Sequence, residues 1–548
     1  MSARDTIVAA ITESLRALGF DATGVTVSVE RPREAAHGDI ATPVAMSLAK
    51  LLKKNPMEIA ERIASSLRVG NDVVASVEAA RPGFINFRLA APVLEETVRE
   101  VLRTGDGYGR TGDGAGRRVQ VEYVSANPTG PLVIVSARAA AVGNAILNLL
   151  DFAGYSTEGE YYVNDYGKQV EALGASLGFR LRERLGLAAA GESLEQFQYP
   201  GAYLGEIASE IEDGEARALA GASDARQAGR FAAGRLLERI RDDLARYGAR
   251  FDGFFLESSL HPDAVEAAYR RLVASGHTYQ QDGAVYFRST DFGDDKDRVL
   301  KKKDGVPTYF VADVAYHASK LDRGFDRAIG LLGPDHHGYV ARMRAAMMAL
   351  GAPADWLEIL IVGWVRLLEE GTPVSMSKRA GEFITMRELI DDVGADVAKY
   401  FFLMRRANSP LDFDLTLARK QSDENPVYYV QYAHARIASV VRFAEERGVA
   451  ADAGGDLSRL TATEERALML HLLHFPGVVV GAAQAREPHR VATYAQELAT
   501  AFHQFYHVCR IVGDDAAVSA ARLDLARATR TVLKNALHLL GVSAPSSM

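Results

Sequence analysis

The chain has 548 residues, 48% of them hydrophobic and 24% charged, with a net charge of −8. That length and composition close several cores without staples, which excludes a disordered chain and a small disulfide scaffold and points to three or four domains. The acidic balance excludes a wholly basic, histone-like binder but leaves room for local basic patches on RNA. One cysteine, Cys509, excludes an intrachain disulfide and a cysteine-built zinc or iron–sulfur centre, and fits a reducing, cytoplasmic compartment. No run of 18 or more apolar residues marks a membrane span.

In chain order, residues 1–20 alternate apolar positions at helical spacing and carry Asp5 and Glu13, which reads as a folded amphipathic helix rather than a targeting peptide. Residues 83–89 read as a strand. GDGYGRTGDGAG, 105–116, has no apolar periodicity and reads as a linker. RRVQVEYV then reads as a buried strand, SANPTGP as a turn, and SARAAAVGNAILNLLDFAG as a long apolar helix ending at Gly154. Strand, Gly/Pro turn and helix open a nucleotide-binding βαβ unit. The Ala-, Glu- and Arg-rich stretch near 175–260 reads as a helical insertion. Strand-like runs at 284–288, 308–311, 328–332 and 359–363, interleaved with helices, predict a parallel sheet wrapped by helices. From about 422 onward only helical patterns remain, which predicts a separate bundle.

Four constellations could carry chemistry. Met376-Ser377-Lys378-Arg379 lies between a strand region and a helix beginning near Thr385. A loop offering Lys378 beside amides and a hydroxyl suits charge on a polyphosphate; a solvated basic turn has the same composition. Asp335-His336-His337 follows the run at 328–332, at the strand end where open α/β sheets bind ligands; a third metal ligand at fixed spacing is missing, so polar contact or simple packing are the readings. Tyr309 and Asp313, four apart, would share one face of a helix, and with Glu122 and Asn127 could hold a guanidinium, whose five donors match paired carboxylates. Lys301-Lys302-Lys303 is a solvated turn or a phosphate contact.

These pieces, in this order, resemble arginyl-tRNA synthetases nearly end to end. HGDIATPVAM (37–46) and PGFINFRL (82–89) resemble that family's amino-terminal domain, and VEYVSANPTGPL (121–132) its approach to the first class I signature. EYYVNDYGKQ (160–169), DFGDDKDRVL (291–300), DGVPTYFVADVAYH (304–317) and GPDHHGYVARM (333–343) resemble its sheet and arginine-pocket segments. VSMSKRAGEF (374–383) resembles the second signature, and ENPVYYVQYAHARI (424–437) with GVSAPSSM the anticodon-binding domain. The resemblance implies an α/β fold: a Rossmann-type parallel-sheet catalytic domain (113–421), an α+β tRNA-contacting domain (1–112) and an all-α bundle (422–548). It implies arginine, ATP with Mg²⁺, and tRNA(Arg) as substrates of a monomeric, cytoplasmic ligase, with no tightly bound cofactor, zinc or membrane. Glu122, Asn127, Tyr309, Asp313 and His337 would line the arginine site, Asp335, His336, Met376 and Arg379 the ATP site, and Ser377, Lys378 and Ser136 would be catalytic.

The departures cluster at the ATP site. Where the family has His-x-Gly-His, this chain has Val133-Ile134-Val135-Ser136, and Ser375 and Glu382 alter the second signature. Lys303 and Ile40 differ from the usual Ser and Tyr. Each lost transition-state donor removes on the order of 10²–10³ in rate. Two further expectations therefore stand beside arginine–tRNA ligation. One is a paralogue that binds tRNA or arginine without adenylation; the other is an enzyme of another arginine-dependent reaction.

Overall fold

The computed structural model describes residues 3–32, 34–221, 224–374, 384–448 and 454–548. The amino-terminal part holds α1 (Ala3–Ala17), β1 (Ile40–Thr42), α2 (Val44–Leu52), α3 (Pro56–Ser66), β2 (Val74–Ala80), β3 (Phe84–Leu89) and α4 (Ala91–Thr104). β1, β3 and β2 form an antiparallel sheet, with α1, α2 and α3 supplying its apolar cover. Only β3 is legible as a strand in the sequence.

The 105–116 segment does join two parts, but it is pinned rather than loose. Tyr108 is buried and its hydroxyl donates to the Leu472 carbonyl at 2.9 Å, while Asn535 Nδ2 donates to the Gly105 and Tyr108 carbonyls. A Cβ on Gly109 (φ +93°) would stand 2.5 Å from the Phe475 ring, so that position needs glycine twice over.

β4 (Arg118–Glu122), α5 (Ile134–Phe152) and β5 (Ser156–Val163) form the first βαβ unit. α5 is apolar nearly all round and buried; its Gly143 lets the Tyr123 ring approach to where a Cβ would collide at 2.2 Å. α6 (Lys168–Arg184), α7 (Ala202–Glu210), α8 (Asp213–Ala220) and α9 (Ala225–Tyr247) make the expected helical insertion with its own small core. Next come β6 (Gly253–Leu256), α10 (Asp263–Ala274), β7 (Thr278–Gln281), β8 (Ala284–Phe287), β9 (Arg298–Lys301), α11 (Tyr309–Asp322), β10 (Arg327–Leu332), α12 (His337–Ala349) and β11 (Leu357–Ile361).

The central sheet has the order β11-β10-β4-β5-β6, all parallel. Chain order reverses between β4 and β10, and ligands bind outside the strand ends at such a point. Two expectations are corrected here. Residues 284–288 form β8 of a separate antiparallel sheet, β7-β8-β9, and 308–311 is not a strand but the first turn of α11. Periodicity alone cannot separate these cases; the apolar residues of α11, which share one core with α10 and α12, decide for helix.

β12 (Val365–Glu369), β13 (Thr372–Pro373), α13 (Met386–Val393), α14 (Ala395–Leu403), β14 (Leu411–Asp414) and α15 (Leu415–Ala418) lead into the bundle of α16 (Pro426–Glu446), α17 (Thr463–Ala485), α18 (His489–Val508) and α19 (Ala516–Leu539). α13 starts as expected, with Thr385 as N-cap and Glu388 completing a capping box. α5 and α17 are long and apolar enough to cross a bilayer, but they pack inside the protein, α5 on β5 and α14, α17 on α4 and α18.

Candidate active site

β4 delivers Glu122 to the carboxyl edge of the sheet. The chain then turns through two left-handed residues, Val124 (φ 69°) and Ser125 (φ 40°). A β-branched residue in that region is strained, and such strain clusters where a site is held in place. Ser125 Oγ donates to Glu122 Oε1 at 3.1 Å and accepts from the Tyr162 N–H at 3.1 Å. Beyond it Asn127 is exposed and donates to Gln169 Oε1 at 2.7 Å.

The parallel register sets Glu122 directly beside Glu160 of β5, two buried carboxylates on neighbouring strands. α11 crosses them and supplies the counter-charge. Lys320, with 0% of its surface exposed, places Nζ 2.6 Å from Glu122 Oε2. Arg323 reaches Glu160 twice, at 2.5 and 3.0 Å, and the Tyr316 hydroxyl donates to Glu160 at 2.8 Å. Gln120 Nε2 adds a fourth donor to Glu160 at 2.6 Å.

Along α11 the positions 309, 313, 316 and 320 make one helical stripe that descends from solvent into the core. Tyr309 is 72% exposed, Asp313 is half-buried, and Tyr316 and Lys320 are buried. Burial pushes the Asp313 carboxyl up to about 7; Arg342 opposes the rise, and Glu257 and Glu122 add to it. Glu257, just past β6, is also raised by burial and by Asp165, against hydrogen bonds from Tyr162 and His261. Tyr162 and Tyr339, which face the same carboxylates, have phenols raised far above the usual range, chiefly by burial. His317, buried and 3.1 Å from the Tyr339 hydroxyl, is held neutral by burial and by Lys320. Glu122 and Glu257 thus both act on the Asp313 carboxyl, with Tyr162, Tyr339 and Arg342 near enough to interact with it. Three carboxylates against Lys320 and Arg342 leave an excess of acceptors, which the five donors of a guanidinium fit.

Of the residues singled out from the sequence, Glu122 and Asp313 act on each other electrostatically. Among the described residues no hydrogen bond joins Asn127 or Tyr309 to either. Asp335 and His336 are exposed in the one-turn helix after β10, beside β4 at the switch point. Met376, Ser377, Lys378 and Arg379 lie outside the described residues, as does the side chain of His337. Lys301 is occupied by Glu266 at 2.9 Å, whereas Lys302 and Lys303 are exposed. Glu257, Lys320, Tyr162 and Tyr339 were missed. A carboxylate just past the run FFL was a usable sign for Glu257, and the seven-residue step from Asp313 one for Lys320.

The signature position itself is apolar. Val133 is the N-cap of α5 and gives no side-chain cap, Val135 and Ser136 are half-buried, and the Ser136 hydroxyl has no hydrogen-bond partner among the described residues. The turn is tied to the second signature's far end: Val133 bridges Thr385, and the Met386 N–H donates to the Leu132 carbonyl at 2.7 Å.

The parallel sheet with its switch-point crevice, the inserted helices and the following bundle define a class I aminoacyl-tRNA synthetase, and the family model for the class I (R) catalytic domain matches residues 97–402. The arginyl-tRNA synthetase N-terminal domain model matches 5–89 and the DALR anticodon-binding domain model 430–548. An arginine–tRNA ligase from Syntrophotalea carbinolica is 49% identical over 95% of both chains, and one from Frankia alni 48% identical over 99% of both. The chain belongs to the arginyl-tRNA synthetase family. The Thermus thermophilus arginyl-tRNA synthetase structure, 24% identical, shares the fold over the whole of both chains with a TM-score of 0.80.

Proposed function

We propose that this chain is an arginine–tRNA ligase: it joins arginine to ATP, supplied as its magnesium complex, to give arginyl-adenylate and pyrophosphate, and passes the arginyl group to tRNA(Arg). The observation that carries the reading is the cluster of Glu122, Glu257 and Asp313, in which both glutamates act on the Asp313 carboxyl and burial raises Asp313 and Glu257. In this reading Glu122, Asp313, Asn127, Tyr309 and His337 hold arginine, and Asp335 and His336 border the ATP. Ser377 and Lys378 hold its phosphates, with Met376 and Arg379 in the ATP site. The protein works in the cytoplasm as a monomer, with 1–112 and 422–548 gripping the tRNA that 113–421 charges.

Without the two histidines, the donors left at the start of α5 are the Ser136 hydroxyl and the backbone N–H groups of its first turn. Those amides have no partners within the helix and carry the positive end of its dipole, so they can receive phosphate charge. Lys378 supplies the remaining cation. The test is arginylation of a tRNA(Arg) transcript by purified protein with radiolabelled arginine and ATP. Turnover of roughly 1 s⁻¹ or faster supports the reading. No charging, with the transcript still retained on a filter, replaces it with a tRNA-binding paralogue.

A further inference from the structure

We propose that the seam between the amino-terminal sheet and the bundle binds a small phosphate dianion, inorganic phosphate or the end of a phosphate monoester, in the cavity that Arg31, Arg88 and Arg466 share with His471 and His474. None of these side chains belongs to the arginine or ATP sites proposed above.

Helical spacing builds one wall of the cavity. Arg466, Leu470 and His474 step along α17 by four, with Ala467 and His471 beside them on the same face. Opposite stand Arg31, Pro32, Gly38 and Asp39, ahead of β1, and Arg88 of β3. Two ion pairs cross the seam here, Arg466 to Asp39 at 2.5 Å and Arg31 to Glu497 of α18 at 2.7 Å. The space of about 210 Å³ has room for a tetrahedral anion with a water or a small ester group.

The charge around that space is unbalanced. Three guanidinium groups line it, opposed by two carboxylates, Asp39 and, across the Arg31 pair, Glu497. Arg4, which Asp5 partly offsets, lies against Gly477, one turn past His474. Neither imidazole makes a hydrogen bond among the described residues, although His474 is only 5% exposed. Nδ1 of each ring is shut off from solvent, which leaves Nε2 as the accessible nitrogen. On the α18 side His471 meets the Tyr494 ring, whose hydroxyl is committed to the His471 carbonyl at 2.8 Å. Besides burial, Arg31 acts on both rings and Arg4 on His474, so the charges that reach them are cationic.

Buried polar nitrogens are ordinarily paired, and two stranded imidazoles among guanidinium groups lack an acceptor. Phosphate supplies one: guanidinium forks take its oxygens in pairs, and an imidazole N–H reaches another. Pro32, Ala467 and Leu470 keep part of the wall apolar, which strengthens each such contact. One positive charge is left over from the ion pairs, and a proton taken up by the imidazoles supplies a second. A dianion matches that pair of charges, whereas a backbone diester carries one. Held by Arg31 on one side and α17 on the other, the anion would stitch the seam.

Isothermal titration of the full chain with sodium sulfate, a dianion throughout pH 6 to 8, and with inorganic phosphate tests this. The wild type is expected to bind one sulfate with a dissociation constant on the order of 1 mM at pH 8. Binding should tighten about fivefold at pH 6, as the imidazoles take up protons, and phosphate should compete for the same site. Arg31→Gln should weaken binding about tenfold at both pH values, and His471→Leu with His474→Leu should abolish the pH dependence. These substitutions lie on opposite sides of the seam, so one that fails to fold leaves the other to decide. Lys378→Ala, which strips the ATP site of its cation, should leave sulfate binding in place. An absence of saturable sulfate binding overturns the proposal, as does binding lost in Lys378→Ala but kept in the folded seam variants. Displacement of sulfate by tRNA(Arg) transcript also overturns it, giving the cavity to a nucleic-acid backbone.

Discussion

Asp313 is the residue whose chemistry is most exposed to test. Burial raises its carboxyl to about 7, against an ordinary value near 4, so between those limits the folded state holds a proton that the unfolded chain has released. Stability of the empty protein should fall as pH rises through that window, and Asp313→Asn should flatten the fall; thermal melts from pH 5 to 8 check it. Arginine binding runs the other way, because the guanidinium needs the ionised form. Its affinity should rise toward pH 8, and Asn at 313 should lower affinity on the order of 100-fold and erase the dependence. At the signature, Val133→His, Val135→Gly and Ser136→His together should raise ATP–pyrophosphate exchange by about 10² or more, since each restored donor acts on transition-state charge. The glycine costs about 1 kcal/mol of helix stability, so the comparison needs folded protein. A folded, unchanged triple variant would place the deficit elsewhere.

Among the elements, the turn-like 105–116 segment shows what composition hides. Its glycines and aspartates read as slack chain, yet Tyr108 and Gly109 pack against α17. Gly109→Ala should destabilise by about 2 kcal/mol or more, from a positive φ combined with a collision with Phe475, seen as a lowered melting temperature with the arginine affinity retained. Much of the architecture was legible: the opening strand, turn and helix of the first βαβ unit, the helical insertion, the terminal bundle and the helix start near Thr385 all follow local rules. β5 was not, because STEGEYYV carries two glutamates, Glu158 and Glu160, whose partners, Arg323 and Tyr316, sit some 160 residues away. In the site, Glu122 and Asp313 were legible because carboxylates at a strand end and on a helix stripe are unusual. Lys320 was not, since a lysine in a helix is ordinarily a solvated one. The strained turn at Val124 and Ser125 leaves no trace in composition at all.

Across the whole molecule, the amino-terminal sheet is joined to the bundle through Asp39, which accepts from Arg466 at 2.5 Å and from the Leu89 N–H at 2.7 Å. His471 and His474 of α17 line the cavity of about 210 Å³ beside that contact. Burial first, and Arg31 next, hold their imidazoles down to about 4 and about 3. The unfolded chain binds these protons near pH 6.5 and the folded chain does not, so this stability is present above that value and is lost as pH falls through it. At pH 5 the loss from the buried His474 is about 2 kcal/mol, and His474→Leu should make the melting temperature less sensitive to acid between pH 7 and 5.

The side-by-side placement of Glu122 and Glu160 also bears on how such a protein could drift in evolution. The two carboxylates share one helix as their counterweight, but only Glu122, paired with Lys320, is proposed to meet substrate; Glu160 with Arg323 keeps the sheet and helix together. A descendant that abandoned arginine could shed the first pair, provided both members went, since either alone would be a stranded charge in the interior. The second pair could not be shed without rebuilding the junction. The ion pairs therefore form two heritable units, one tied to the substrate and one to the fold, and a lineage's losses would record which constraint was lifted.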